Sequence, residues 1–156
     1  MKLSIIDYLN RLVNKTLKQG MQTSMRYPTP ISLTLGMDIK EIGMGTAIIE
    51  IETSTELHGN QQGTIHGGLI TELADAAMGT AHSTLILEDE SFTSIELKIN
   101  FYRPVFNDVL RAKVRPLQNG KSISHYICEI TRGDGKMAAI ATSTIMTLAG
   151  EKAIGR

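Results

Sequence analysis

At 156 residues the chain is long enough for one domain with its own core and too short for two. Hydrophobic residues make up 42% and charged residues 21%, an ordinary composition for a globular protein. Sixteen Lys and Arg balance sixteen Asp and Glu, so the molecule as a whole has no general pull towards nucleic acid or an anionic membrane.

The first predicted element is an amphipathic helix over residues 3–19. Leu3, Ile6, Leu9, Leu12, Val13 and Leu17 recur at three- and four-residue steps, with Lys2, Asn10, Arg11, Lys15 and Lys18 between them. It should lie across the domain as a lid or an interface piece. Asp7, Asn10 and Arg11 interrupt any signal-peptide centre, and no apolar run approaches the roughly 20 residues of a membrane span, so the cytoplasm is the expected location. Tyr27-Pro28-Thr29-Pro30 should stop helix continuation and lead into extended chain.

Residues 31–42 and 45–56 then read as strands broken by Gly43 and Gly45. Ala47, Ile49, Ile51 and Thr53 share one face of the second, with Glu50 and Glu52 on the other. A polar stretch over 56–63 follows. Residues 66–84 form the long central helix, whose Leu69, Ile70, Leu73, Ala74, Ala76, Ala77, Met78 and Ala81 go most of the way round, predicting burial on nearly all sides. A meander of four strands completes the chain: 92–102, 109–117, 121–131 and 136–148. Asn119-Gly120 predicts a type I′ hairpin and Gly133-Asp134-Gly135 a second turn. Cys128, the single cysteine, excludes an intrachain disulfide, fits a reducing compartment, and reads as a buried structural thiol in its strand. The expected fold is α+β, one curved antiparallel sheet around one buried helix, with edges that invite pairing with a second copy.

The charge is unevenly distributed. Residues 41–96 hold ten acids and no Lys or Arg, whereas residues 97–121 carry six basic residues against Asp108 alone. That basic segment fits either a phosphate-bearing small molecule or a solvated face.

Chemistry concentrates between Asn60 and Asp75. Gly67-Gly68 at the start of a buried helix permit close approach of a ligand. The unpaired N–H groups of a first helical turn suit a carbonyl oxygen becoming an oxyanion; tight helix–sheet packing explains the glycines equally well. Asp75 stands in the most apolar helix of the chain, which makes it either a functional carboxylate or one held at a subunit interface. Gly67 and Asp75 are eight residues apart, about 12 Å along one helix, so one reacting carbon cannot meet both on one chain. If both act, they come from different subunits.

Asn60, Gly63-Thr64-Ile65-His66-Gly67-Gly68 and Asp75, followed by Ser94-Ile95-Glu96-Leu97-Lys98-Ile99-Asn100-Phe101-Tyr102-Arg103-Pro104, resemble the phenylacetate-degradation (PaaI-like) type of hotdog-fold acyl-CoA thioesterases. The similarity covers roughly residues 35–148, placing a hotdog core at 31–148 behind an N-terminal helix and lead-in over 1–28. The resemblance implies hydrolysis of an acyl- or aryl-CoA thioester to free acid and CoA, without metal or organic cofactor, CoA being part of the substrate. Asp75 would be general base or nucleophile, and the Gly67 N–H would polarise the carbonyl. Asn60 would orient water or substrate. Ser94, or the adjacent Thr93, would assist the water. His66 would shape the turn beside Gly68. Arg103, Arg111, Lys113 and Arg115 are candidates for the CoA phosphates, with a solvated face as the alternative. The expected partner is a second copy, in a catalytic homodimer that pairs again into a tetramer; nucleic acid and membrane are not expected. The four histidines, His58, His66, His82 and His125, have no metal-ligand spacing. A non-catalytic acyl-thioester binding module is the competing reading. A hydratase would need a catalytic histidine after Asp75, and only His82 is spaced for it.

Overall fold

The computed structural model describes residues 1–154. The chain runs α1 (Ile5–Val13), α2 (Pro30–Leu35), β1 (Asp38–Gly43), β2 (Thr46–Glu52), α3 (Thr55–His58), α4 (Gly67–Ser83), β3 (Ser91–Phe101), β4 (Val109–Asn119), β5 (Ile123–Thr131) and β6 (Met137–Leu148), with a terminal 3-10 turn at Gly150–Ala153. All six strands form one antiparallel sheet in the order β1-β2-β4-β5-β6-β3.

Helix α4 packs against β2, β3, β4, β5 and β6, so the sheet curls around it. Alternation along the strands supplies the inner face: Leu110, Ala112 and Val114 from β4 and Tyr126, Cys128 and Ile130 from β5 are buried against the helix. On the helix, Ala74, Ala77 and Ala81 are fully buried, and their small side chains allow the sheet backbone to come close. Burial pushes the Cys128 thiol up to about 12, so it stays protonated as a small apolar filler.

Several expectations need correction. Helix α1 ends at Val13, not at residue 19. Thr16 N–H reaches back to Arg11 O at 2.8 Å with Lys15 at φ +56°, a left-handed closing turn that outweighs the continuing apolar period. The stretch from Ile31 does not begin as a strand. Thr29 caps α2 by accepting from Ser32 N–H, Pro30 occupies the first turn, and Gly36 at φ +73° ends it. Pro30 therefore opens a helix instead of leading into extended chain. The polar stretch after β2 also contains a short helix, α3, capped by Ser54.

The β4–β5 hairpin exists, but Asn119-Gly120 is not a type I′ turn, since neither residue has positive φ. A register shift between Pro116 and Gln118 moves the pairing to Asn119 against Ser124, and Gly120 N–H closes the loop on Ile123 O at 3.0 Å. Gly120 is needed there for close approach, since a Cβ would lie 2.4 Å from that oxygen.

One polar network lies inside the core. His82, near the end of α4, is 2% exposed; its Nδ1 meets Tyr126 Oη at 2.9 Å and its Nε2 meets Thr147 Oγ1 at 3.0 Å. Burial holds the imidazole below its ordinary value of 6.5 and pushes the Tyr126 hydroxyl up to about 12. His82 is thereby a neutral core residue committed to two hydroxyl partners. The unfolded chain binds a proton at His82 before the folded chain does, so the stability from keeping it neutral is lost as pH falls below 6.5. The melting temperature should drop as pH is lowered through that range, and His82→Gln should flatten the drop in thermal scans across pH.

Candidate active site

His66 starts α4. Its backbone is extended, and its Nδ1 accepts from Gly68 N–H at 2.9 Å. Leu69 N–H is satisfied by His66 O at 3.0 Å. Of the first-turn amides this leaves Gly67 N–H with no partner among the described residues, at the positive end of the helix dipole. Both glycines sit in tight places: a Cβ on Gly67 would lie 3.0 Å from Phe101 Cζ, and one on Gly68 would lie 2.9 Å from His66 Nδ1, so those side chains would have to give way.

The Gly67 amide opens on a cleft of about 360 Å³ lined also by Asn60, Thr64, Phe101, Tyr102 and Arg103. Asn60 clasps the loop leading to the helix. Its Oδ1 accepts from Gln62 and Thr64 N–H groups at 2.9 and 3.2 Å, and its Nδ2 donates to Thr64 Oγ1 at 2.9 Å. One Nδ2 hydrogen remains for a ligand. Arg103 donates from Nη1 to Met137 O at 2.7 Å, which fixes its guanidinium at the rim of the same cleft.

Asp75 lies on another cleft, about 500 Å³ and open to solvent, with Gly68, Thr71, Glu72, Ser94, Ile95 and Leu97. The face of α4 bearing Gly68, Thr71, Glu72, Asp75, Ala76 and Gly79 is exposed or half-buried, so the helix is not covered on nearly all sides within one chain. The expectation weighed the small and apolar residues around the helix, whereas Thr71, Glu72 and Asp75 mark the strip that the sheet does not cover. Ser94 Oγ donates to Asp75 Oδ1 at 3.2 Å. A bulge at Ile95, where the pairing of β3 with β6 shifts between Ser94 and Glu96, lets Ser94, Ile95 and Glu96 all line this cleft, which simple alternation would forbid. Thr93 does not line it.

Glu72 was not singled out by the sequence. It sits three residues before Asp75 on the same helix face, and that i, i+3 spacing of two acids is the signal that points to it. Burial, and then the charge of Asp75, hold its carboxyl above the ordinary 4.5.

Arg111 and Lys113 are not brought to either cleft. They stand on the outer face of the sheet, opposite the buried Leu110, Ala112 and Val114. Arg111 is held between Glu50 at 2.7 Å and Glu41 at 3.0 Å, while Lys113 and Arg115 line a separate hollow. Among the described residues no helix is long and apolar enough to cross a membrane, and no group of three His, Cys, Asp or Glu is arranged to hold a metal ion.

The profile of the Thioesterase superfamily matches residues 62–139, a span that includes both glycines, Asp75 and Ser94. The chain belongs to that superfamily. The 1,4-dihydroxy-2-naphthoyl-CoA hydrolase from Listeria monocytogenes is 26% identical over 112 residues, 72% of this chain and 90% of that protein. A conserved protein of Pseudomonas aeruginosa superposes with a TM-score of 0.71 at 30% identity, covering 77% of this chain and 94% of its own. The PaaI protein of the E. coli phenylacetic acid degradation operon gives 0.72 at 26% identity, covering 79% and 87%. The fold is thus the hotdog fold, of the PaaI-like thioesterase kind, and the activity class is hydrolase.

The cap has a measurable weight. His66→Ala leaves Gly68 N–H without its acceptor and should cost about 1 kcal/mol in urea denaturation, with His66→Asn recovering most of it.

Proposed function

We propose that the protein hydrolyses an acyl- or aryl-CoA thioester to the free acid and CoA in a site shared by two copies of the chain. The observation that carries this reading is the pairing of Asp75 with Ser94 on an exposed face of α4, together with a Gly67 amide that has no partner and opens on a different cleft. Each chain presents half of the required chemistry on a separate surface.

In the proposed reaction the thioester carbonyl oxygen accepts from Gly67 N–H of one protomer, at the positive end of α4. Asp75 of the other protomer takes a proton from water as the water attacks the carbonyl carbon, and Ser94 orients either that water or the carboxylate. The tetrahedral intermediate collapses with cleavage of the carbon–sulfur bond, and the thiolate leaves as CoA. A direct attack by the Asp75 carboxylate, giving an anhydride that water then opens, uses the same groups. Neither route draws on a metal or organic cofactor. Arg103 at the rim of the Gly67 cleft is the basic residue best placed for the CoA phosphates; Arg111, already neutralised by two carboxylates, is poorly placed. The CoA thioester as substrate class is supported by the hydrolase relative from Listeria monocytogenes and by membership of the superfamily. The catalytic unit is a homodimer, which the proposal extends to a pair of dimers.

Purified protein should release free thiol from a panel of CoA thioesters. Asp75→Asn should lower kcat by at least about 10²-fold with thioester binding retained, and Ser94→Ala should fall between it and the parent. Binding across the panel with no thiol release from the parent chain would instead identify an acyl-thioester binding module.

A further inference from the structure

A third cavity, about 240 Å³, lies beneath α1 and is walled by α1, α2, β1, β2 and the far end of α4. None of its lining residues lines the Asp75 cleft or the Gly67 cleft. Leu12, Val13, Pro28, Met37, Ile39 and Ile49 supply the apolar part of a mixed wall. At about 30 Å³ for each group the size of a water or a methylene, it holds about eight of them.

Most of its polar groups are already committed. Lys40 is bound to Asp38 at 2.6 Å, the hydroxyls of Thr29 and Ser32 bond each other at 2.7 Å, and Tyr27 Oη donates to Ser83 Oγ at 2.7 Å. Two groups are left. Thr80, on α4, is 93% buried (7% exposed), yet its hydroxyl makes no hydrogen bond among the described residues. Among the described residues only the Thr23 hydroxyl is both sealed from solvent and unpaired, so the Thr80 hydroxyl reaches open space, and this cavity is the space it meets. At the exposed end stands Lys15, which makes no salt bridge and is the one non-glycine residue with positive φ among the described residues. A buried hydroxyl at the floor, an apolar wall beside polar groups that are already paired, and an unpaired cation at the mouth describe a complementary molecule.

We infer that this cavity binds a small monocarboxylic acid with an apolar body and a hydrogen-bonding group at the end far from its carboxylate. The carboxylate meets Lys15 at the mouth, the methylenes or ring lie against Met37 and Ile49, and the far polar group pairs with the Thr80 hydroxyl, which an empty or purely apolar occupant would leave unsatisfied. Asp38 at the mouth does not repel the anion strongly, because Lys40 neutralises it. The site takes no part in the thioester chemistry proposed above and stands if that reading fails.

The probes are 6-hydroxyhexanoate and hexanoate, titrated into the full chain carrying ¹³C-methyl methionine, with the Met37 methyl resonance as reporter. Both should shift that resonance, and 6-hydroxyhexanoate should bind about fivefold more tightly. Thr80→Val should remove that preference while Thr80→Ser keeps it, and Lys15→Gln should weaken both probes by a similar factor. Because Thr80→Ser and Lys15→Gln change little inside the core, they keep the test decisive if Thr80→Val does not fold. An unmoved Met37 methyl at millimolar probe, equal affinity for the two acids in the parent chain, or unchanged binding in Lys15→Gln would overturn the inference.

Discussion

The rise of an α-helix is the constraint on which the reading of this protein turns. Gly67 and Asp75 belong to one element, eight residues apart, and that spacing keeps the free amide and the carboxylate about 12 Å from one another along the axis. No side-chain rotation closes such a gap. The sheet enforces the separation, because its strands grip α4 along its length and leave Gly67 and Asp75 on different clefts. A helix gripped that firmly positions each group well and cannot bend to bring them together.

The same arrangement explains the exposure of α4. A helix buried within its own sheet has no need of a polar strip, yet Gly68, Thr71, Glu72 and Asp75 form one along the side the sheet does not cover. The bulge at Ile95 turns Ser94 towards that strip. Exposed Ile95, Phe101, Tyr102 and Phe106 lie on β3 and just beyond it, flanking the two clefts with apolar surface suited to a second copy. Deep in the core, by contrast, His82, Tyr126 and Thr147 satisfy one another, which removes the histidine that a hydratase would have used.

Much of this was legible in the residues themselves. The central helix and the four strands after it follow from periodicity, and the helix is found within one residue of its expected ends. The expected four-strand meander, however, is a three-strand one, β4-β5-β6, because β3 crosses to the far edge and pairs with β6, a long-range choice that local turn signals do not encode. What was missed has local causes. Thr29, Pro30 and Gly36 carry cap, first-turn and stop signals for α2 that short alternation obscured. The hairpin at Gly120 depends on a register shift between Pro116 and Gln118 in the strand entering it, which no turn dipeptide encodes. For the site, the choice of Ser94 over Thr93 depends on the bulge, and Glu72 emerges only once the helix face is known. Arg111 read as a free cation because its partners Glu41 and Glu50 come from strands distant in sequence.

The shared site is tested most directly by mixing two inactive chains. Asp75→Asn lacks the carboxylate, and Gly67→Val blocks the amide by driving a side chain towards Phe101. Each homo-oligomer should be inactive against a CoA thioester that the parent chain hydrolyses. Co-expressed and purified as a mixed oligomer, the two should regain activity, because one site per mixed dimer then unites an intact Gly67 with an intact Asp75. Activity in the mixture no greater than in either variant alone, with mixed dimers demonstrated by mass spectrometry, would contradict a site built from two chains.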